Sequence, residues 1–182
     1  MRKFFAITAI GKDRPGIVAG VSKVLFELGM NIEDSSMTIL RSEFAMILII
    51  STEEGVDASD FESHFREVRD KLGLFISVKG IEEREVNSKK PYSGMPYIIS
   101  VIGTDKPGIV YRVAQLLYSK KINITDLNTK VVPGEKSPVY TMIIEVDVPE
   151  YVDIALLEEE FSLLEKEMAI DISIRELEVL EL

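Results

Sequence analysis

Two octapeptides of one design are the residues in this chain best suited to chemistry. The first is Gly11-Lys12-Asp13-Arg14-Pro15-Gly16-Ile17-Val18 and the second is Gly103-Thr104-Asp105-Lys106-Pro107-Gly108-Ile109-Val110. Fifteen residues after the glycine of each Pro-Gly pair comes an Asn-Ile pair, Asn31-Ile32 and Asn123-Ile124. A glycine-bearing turn leading into a helix aims free backbone N–H groups outward, and the helix dipole adds partial positive charge. That end suits a carboxylate, with a contribution of about 0.3–1 kcal/mol, rising to ~2 kcal/mol when partly buried. Asp13 or Asp105 supplies an acceptor for an ammonium group, and Asn31 or Asn123 offers both a donor and an acceptor. A free α-amino acid carries one carboxylate and one ammonium on a single carbon, so the two halves match. Ordinary helix initiation would use the same residues: an acid near the helix start, Pro in the first turn and Gly for tight packing. The second copy separates the readings, because Lys121 stands where the first has the capping Gly29 while Asn123 stays in place.

Nothing else in the chain reads as reactive. His64 is the sole histidine and there is no cysteine, which removes thiol catalysis, disulfides and the usual transition-metal sites. Gly11 and Gly16 have the glycine spacing of a phosphate-binding loop but lack its Lys-Ser/Thr ending. Ser22 and Ser35 have no nearby base, and Glu158-Glu159-Glu160 reads as a solvated helix face. No catalytic residue, metal ligand or cofactor is expected.

The elements that position the octapeptides are written twice. Phe5–Asp34 lies on Tyr97–Asp126 at a constant offset of 92, with 13 identities in 30 positions. Four extra residues around Val132–Lys136 then shift the register to 96, where Phe44, Met46 and Ile47 meet Tyr140, Met142 and Ile143. Each copy reads as strand, helix, two strands, helix, strand. In the first, Lys3–Ile10 is a strand. Pro15–Leu28 is a helix carried by Ile17, Val21, Val24, Leu25 and Leu28, with Gly29 past its end. Asn31–Leu40 and Phe44–Ser51 are strands around the turn Arg41-Ser42-Glu43. Asp57–Leu72 is a helix through Phe61, Phe65, Val68 and Leu72, and Leu74–Ile81 closes the module. In the second, Ile154, Leu157, Phe161, Leu164 and Met168 line the last helix, and Ile170, Ile172 and Ile174 alternate with polar residues. The expected fold class is α+β: two ferredoxin-like βαββαβ domains, each a four-stranded antiparallel sheet with two helices on one face. The expected domains are 1–84 and 96–182, joined by a Pro-, Gly- and Ser-containing linker at 85–95.

Both copies resemble the ACT-domain family, whose signature is D-[RK]-P-G-[ILV] between first strand and helix, followed by an Asn-Ile that opens the second strand. The wording DRPGIVAGVSKVL is most similar to the glycine cleavage system transcriptional repressor group and to the N-terminal ACT segment of formyltetrahydrofolate deformylases. The resemblance implies a non-catalytic regulatory protein that binds a small amino acid and acts through a partner protein. The implied ligand-binding residues are Gly11, Asp13, Pro15, Gly16, Ile17, Asn31 and Ile32, with Gly103, Asp105, Pro107, Gly108, Ile109, Asn123 and Ile124. Serine-sensing relatives often carry His and Asn where Gly11/Gly103 and Asp13/Asp105 stand, so a roomier and more acidic pocket is expected here.

Charge and hydropathy bound the alternatives. The net charge of −10 divides as −2 over residues 1–90 and −8 over residues 91–182. An acidic chain without a basic stripe is repelled by phosphate backbones, which argues against a repressor that touches DNA itself. A single-strand RNA module of the same element order needs stacking aromatics and basic residues on its central strands, where this chain has Phe44-Ala45-Met46-Ile47-Leu48-Ile49-Ile50. No apolar run is long enough to span a bilayer, and no small-residue cleavage site precedes Lys12, so a cytoplasmic location and no membrane partner are expected. Exposed sheet edges make a homodimer the expected assembly.

Overall fold

The computed structural model describes residues 2–53, 61, 63–87, 94–134 and 138–177. The chain divides into two compact units, Met1–Ser88 and Lys89–Leu182. In the first, β1 (Lys3–Lys12), α1 (Ile17–Glu27), β2 (Asn31–Leu40), β3 (Glu43–Thr52), α2 (Arg66–Leu72), β4 (Phe75–Ile81) and a short α3 (Glu83–Asn87) follow in order. The second contains β5 (Met95–Thr104), α4 (Ile109–Ser119), β6 (Asn123–Val132), β7 (Val139–Val148), α5 (Ile154–Met168) and β8 (Ile170–Glu176). The two sheets run β2-β3-β1-β4 and β6-β7-β5-β8, antiparallel throughout.

Period-two burial explains each sheet. Phe5, Ile7 and Ala9 of β1 and Phe44, Met46, Leu48 and Ile50 of β3 point to one side. There they meet Ile17, Val21, Val24 and Leu25 of α1 together with Phe61 and Phe65. The rings of Phe5 and Phe61 lie tilted at 4.6 Å between centroids, a geometry that adds to their burial. In the second module Ile99, Val101, Ile109, Val113, Leu117, Met142, Ile144, Leu157, Phe161 and Leu164 build the matching core. The alternation expected for β8 holds, with Ile170, Ile172 and Ile174 against the core and Asp171, Ser173 and Arg175 exposed.

Three local expectations change. Pro15 lies before α1 rather than in its first turn, because Gly16 is the N-cap and Ile17 the first helical residue. The second helix of the first module is described over Arg66–Leu72, with Phe61, Ser63 and His64 helical ahead of a turn at Phe65. The remainder of the Asp57–Leu72 expectation, residues 57–60 and 62, falls outside the described residues. The start of the linker segment is helical, since α3 runs through Asn87, and residues 88–93 fall outside the description.

Candidate functional site

The octapeptide turns form alike in both modules. Gly16 and Gly108 are N-caps with φ of 97° and 98°, a conformation that costs an L-residue about 1–2 kcal/mol and glycine little. No side chain caps either helix, and neither first turn contains an acidic residue. α5 contrasts: its N-cap Asp153 accepts from the Ala155 N–H at 2.9 Å and the Leu156 N–H at 3.4 Å. The first-turn N–H groups of α1 and α4 therefore lack the side-chain acceptor that closes α5. Asp13, Arg14, Pro15 and Gly16 are exposed, as are Asp105, Lys106, Pro107 and Gly108. Asp13 is held through its backbone, donating N–H to the Ser42 carbonyl at 2.8 Å. In the second module the Lys106 ammonium donates to the Met168 carbonyl at 3.3 Å.

Six candidates stand elsewhere than the site reading requires. Ile17 and Ile109 are each 2% exposed and belong to the cores, so they anchor the helix starts and cannot line a pocket. Asn31 and Asn123 lie at the other end of their own sheets from the turns. Gly11 pairs with Phe44 of β3 while Asn31 pairs with Ser51, seven residues or roughly 23 Å further along the strand. Gly103–Tyr140 and Asn123–Asp147 repeat the relation. The cause is α1, whose 11 residues carry the chain about 16 Å back across the sheet. Ile32 and Ile124 follow their asparagines to that end, Ile32 exposed and Ile124 packed against the second core.

The expected extra room at Gly11 and Gly103 is also absent. A Cβ on Gly11 would meet the Gly73 carbonyl oxygen and Leu74 Cδ2, both at 2.9 Å. One on Gly103 would meet Ile170 Cγ2 at 2.7 Å and Ile170 Cα at 3.1 Å. These glycines let the neighbouring strand start approach; they do not open a pocket.

Two groupings escaped the sequence reading. At the β2 start, Glu33 accepts from Asn31 Nδ2 at 3.0 Å and from Ser51 Oγ at 2.5 Å. Those bonds, Ser51 first and then Asn31, hold the Glu33 carboxyl below its ordinary value of 4.5. Glu33 sits in the register shift between Ile32 and Asp34, a bulge that spacing alone does not disclose. At the turn of the second module, burial first and then the Asp105 carboxylate push the Tyr140 hydroxyl above its ordinary value of 10.0, against a hydrogen bond with Thr129. The first module has Phe44 in that position, so only the second turn has a phenol beside its aspartate. The repeat alignment does pair Phe44 with Tyr140, which is the one signal that could have found it.

Two βαββαβ modules, each with a glycine-started first helix flanked by an exposed aspartate, make up the chain, and the ACT domain family matches residues 3–79 and 96–175. The chain belongs to that family, as a tandem ACT domain protein. It is similar to the glycine cleavage system transcriptional repressor of Escherichia coli, 28% identical over 163 residues that cover 88% of this chain and 83% of that protein. The UPF0237 protein of Methanopyrus kandleri is 42% identical over 74 residues, 40% of this chain and 82% of that one. A solved protein of Galdieria sulphuraria superposes with a TM-score of 0.76 at 28% identity, covering 98% of this chain and 100% of its own. Among the described residues no helix is long and apolar enough to cross a membrane.

Proposed function

We propose that this chain is a non-catalytic regulatory protein that binds a small amino acid at its octapeptide turns and acts through a partner protein. Amino-acid or glycine metabolism is the setting suggested by the similarity to the glycine cleavage repressor. One observation carries the reading: α1 and α4 both begin on a left-handed glycine with no side-chain cap, beside an exposed aspartate. First-turn N–H groups would take the ligand carboxylate, and Asp13 or Asp105 would take its ammonium. Asn31 and Asn123 stand outside this turn site; Asn31 orders Glu33 and the β2 start. The modules are taken as 1–84 and 96–182, with 85–95 between them, and the chain as a cytoplasmic homodimer. A ligand with so few atoms binds modestly, with Kd between about 10 µM and 1 mM. A thermal-shift screen of the twenty amino acids tests the reading, because a ligand at about 100 times its Kd stabilises by ~2.7 kcal/mol. If none of the twenty raises the melting temperature, the reading fails.

The name of the Escherichia coli relative favours one second reading, a repressor that contacts DNA itself. The net charge of −10 opposes it. A mobility-shift assay at low salt separates the two: a shifted duplex supports direct contact, and an unshifted one leaves the partner-mediated reading.

A further inference from the structure

The side of the first sheet that faces away from α1 and α2 is built from β1, β3 and β4 residues that alternate with the core. It carries Ala6, Thr8 and Ile10, then Ala45, Ile47 and Ile49, then Phe75, Ser77 and Lys79, with Asp34, Ser36 and Thr38 of β2 along one edge. Ile10 is 44% exposed, Ile47 52% and Phe75 67%, whereas Phe4, in the row beyond Ala6 on the same face, is 7% exposed. The centre of this face is therefore apolar and open to water, while its end at the start of β1 is covered.

Its charges have a specific arrangement. One row across the sheet reads Asp34, Ile49, Ala6, Lys79, from the β2 edge to the β4 edge. At the far end of the central strands Glu43 of β3 stands beside Lys12 of β1. A twofold axis parallel to the strands, passing between β3 and β1, lays β2 over the other copy's β4 and β3 over the other copy's β1. That operation sets Asp34 against a second Lys79 and Glu43 against a second Lys12, each pair occurring twice. Every charge on the twelve named positions and the Glu43–Lys12 row then meets its opposite, and the apolar centre meets itself.

The same operation fails on the second sheet. Asp126 would meet Arg175 and Lys130 would meet Asp171, but Glu145 shares its row with Ile98 and would be driven against it. Glu145 occupies the repeat position of Ile49, on the central strand. A carboxylate buried there without a partner is costly.

We propose that the away-facing side of the first sheet is a self-association surface, where two copies of this chain pack sheet against sheet about such a twofold axis. The proposal deepens the homodimer reading above and is independent of ligand binding. Sheets stack about 10 Å apart in this manner. A footprint of four strands by roughly 20 Å is small, so the association belongs in the micromolar range.

Sedimentation equilibrium of the full chain from about 1 to 100 µM tests it. The wild type is expected to dimerise, and Ile47→Glu to weaken the dimer at least about a hundredfold. Ile143→Glu, at the matching position of the second sheet, is expected to leave it unchanged. Asp34→Lys and Lys79→Asp should each weaken association alone and restore it together. These edge substitutions leave both cores intact, so the pair decides the question even where Ile47→Glu perturbs its module. A monomer at 100 µM overturns this surface and the homodimer reading together. A dimer that survives Ile47→Glu, or that the charge-swapped pair fails to restore, overturns this surface while the homodimer reading stands.

Discussion

Replacing Gly103 with alanine separates the two reasons a glycine can stand at the end of β5. If it leaves room for a ligand, a methyl there should alter binding and spare stability. The structure says otherwise: the new Cβ would lie 2.7 Å from Ile170 Cγ2, 3.1 Å from its Cα and 3.2 Å from its Cβ. The side-chain methyl could rotate away, but the Cα belongs to the first residue of β8, paired directly with Gly103. Strand β8 must therefore shift by a few tenths of an ångström at its start. Overpacking of this kind costs about 1–3 kcal/mol, which for a module of this size lowers the melting temperature by about 5–20 °C. Gly80→Ala is the control, because a Cβ there meets nothing within 4 Å, and its effect should stay within about 0.5 kcal/mol. Thermal and urea unfolding followed by circular dichroism read both. In an Ile170→Ala background, the cost of Gly103→Ala should shrink without vanishing, because the Cα clash remains. A Gly103→Ala protein as stable as Gly80→Ala would refute the close-packing account and revive the roomier pocket.

Three further outcomes follow from single groups. Asp153→Ala should cost about 1 kcal/mol in urea unfolding, since it removes the side-chain acceptor for the Ala155 and Leu156 N–H groups; no loss would mean that the cap is idle. The Glu33 carboxyl, followed by NMR, should titrate below 4.5 and move up in Ser51→Ala. Because its folded value is depressed, its contribution to stability is present above 4.5 and fades as pH falls through the folded value; an unshifted carboxyl in the wild type contradicts the grouping. Tyr140 should ionise above 10.0 in ultraviolet titration and come down in Asp105→Asn. Its folded value is raised, so the contribution it carries is full below 10.0 and is lost as pH rises through the folded value. A titration unchanged by Asp105→Asn would place the aspartate away from the phenol.

The fold was legible because its signals are periodic and repeated. The 92-residue offset identified two modules, and the spacing of Ile17, Val21, Val24 and Leu25 marked the buried face of α1. β2 was read at its observed limits, Asn31–Leu40, although all ten of its residues are exposed, because a turn and a strand follow it. The site was only half legible. Spacing along the chain suggested that Asn31 follows Gly16 closely, but the helix between them spends those residues crossing the sheet, and the pair end up apart. Gly11 and Gly103 looked like missing side chains, whereas the cause lies in residues more than 60 positions later, Gly73–Leu74 and Ile170. The Glu33 bulge and the Asp105–Tyr140 approach depend on strand register, which no local pattern encodes.

The most direct measurement of the central claim is titration calorimetry of whichever amino acid stabilises the wild type, repeated on the chain carrying both Asp13→Ala and Asp105→Ala. Both aspartates are exposed and neither caps its helix, so the double variant should melt within a few degrees of wild type, as surface changes of up to about 0.5 kcal/mol do. Heat of binding should disappear from it, because the ammonium has lost its acceptor in both modules. A double variant that binds its amino acid as tightly as the wild type would show that these turns only begin helices.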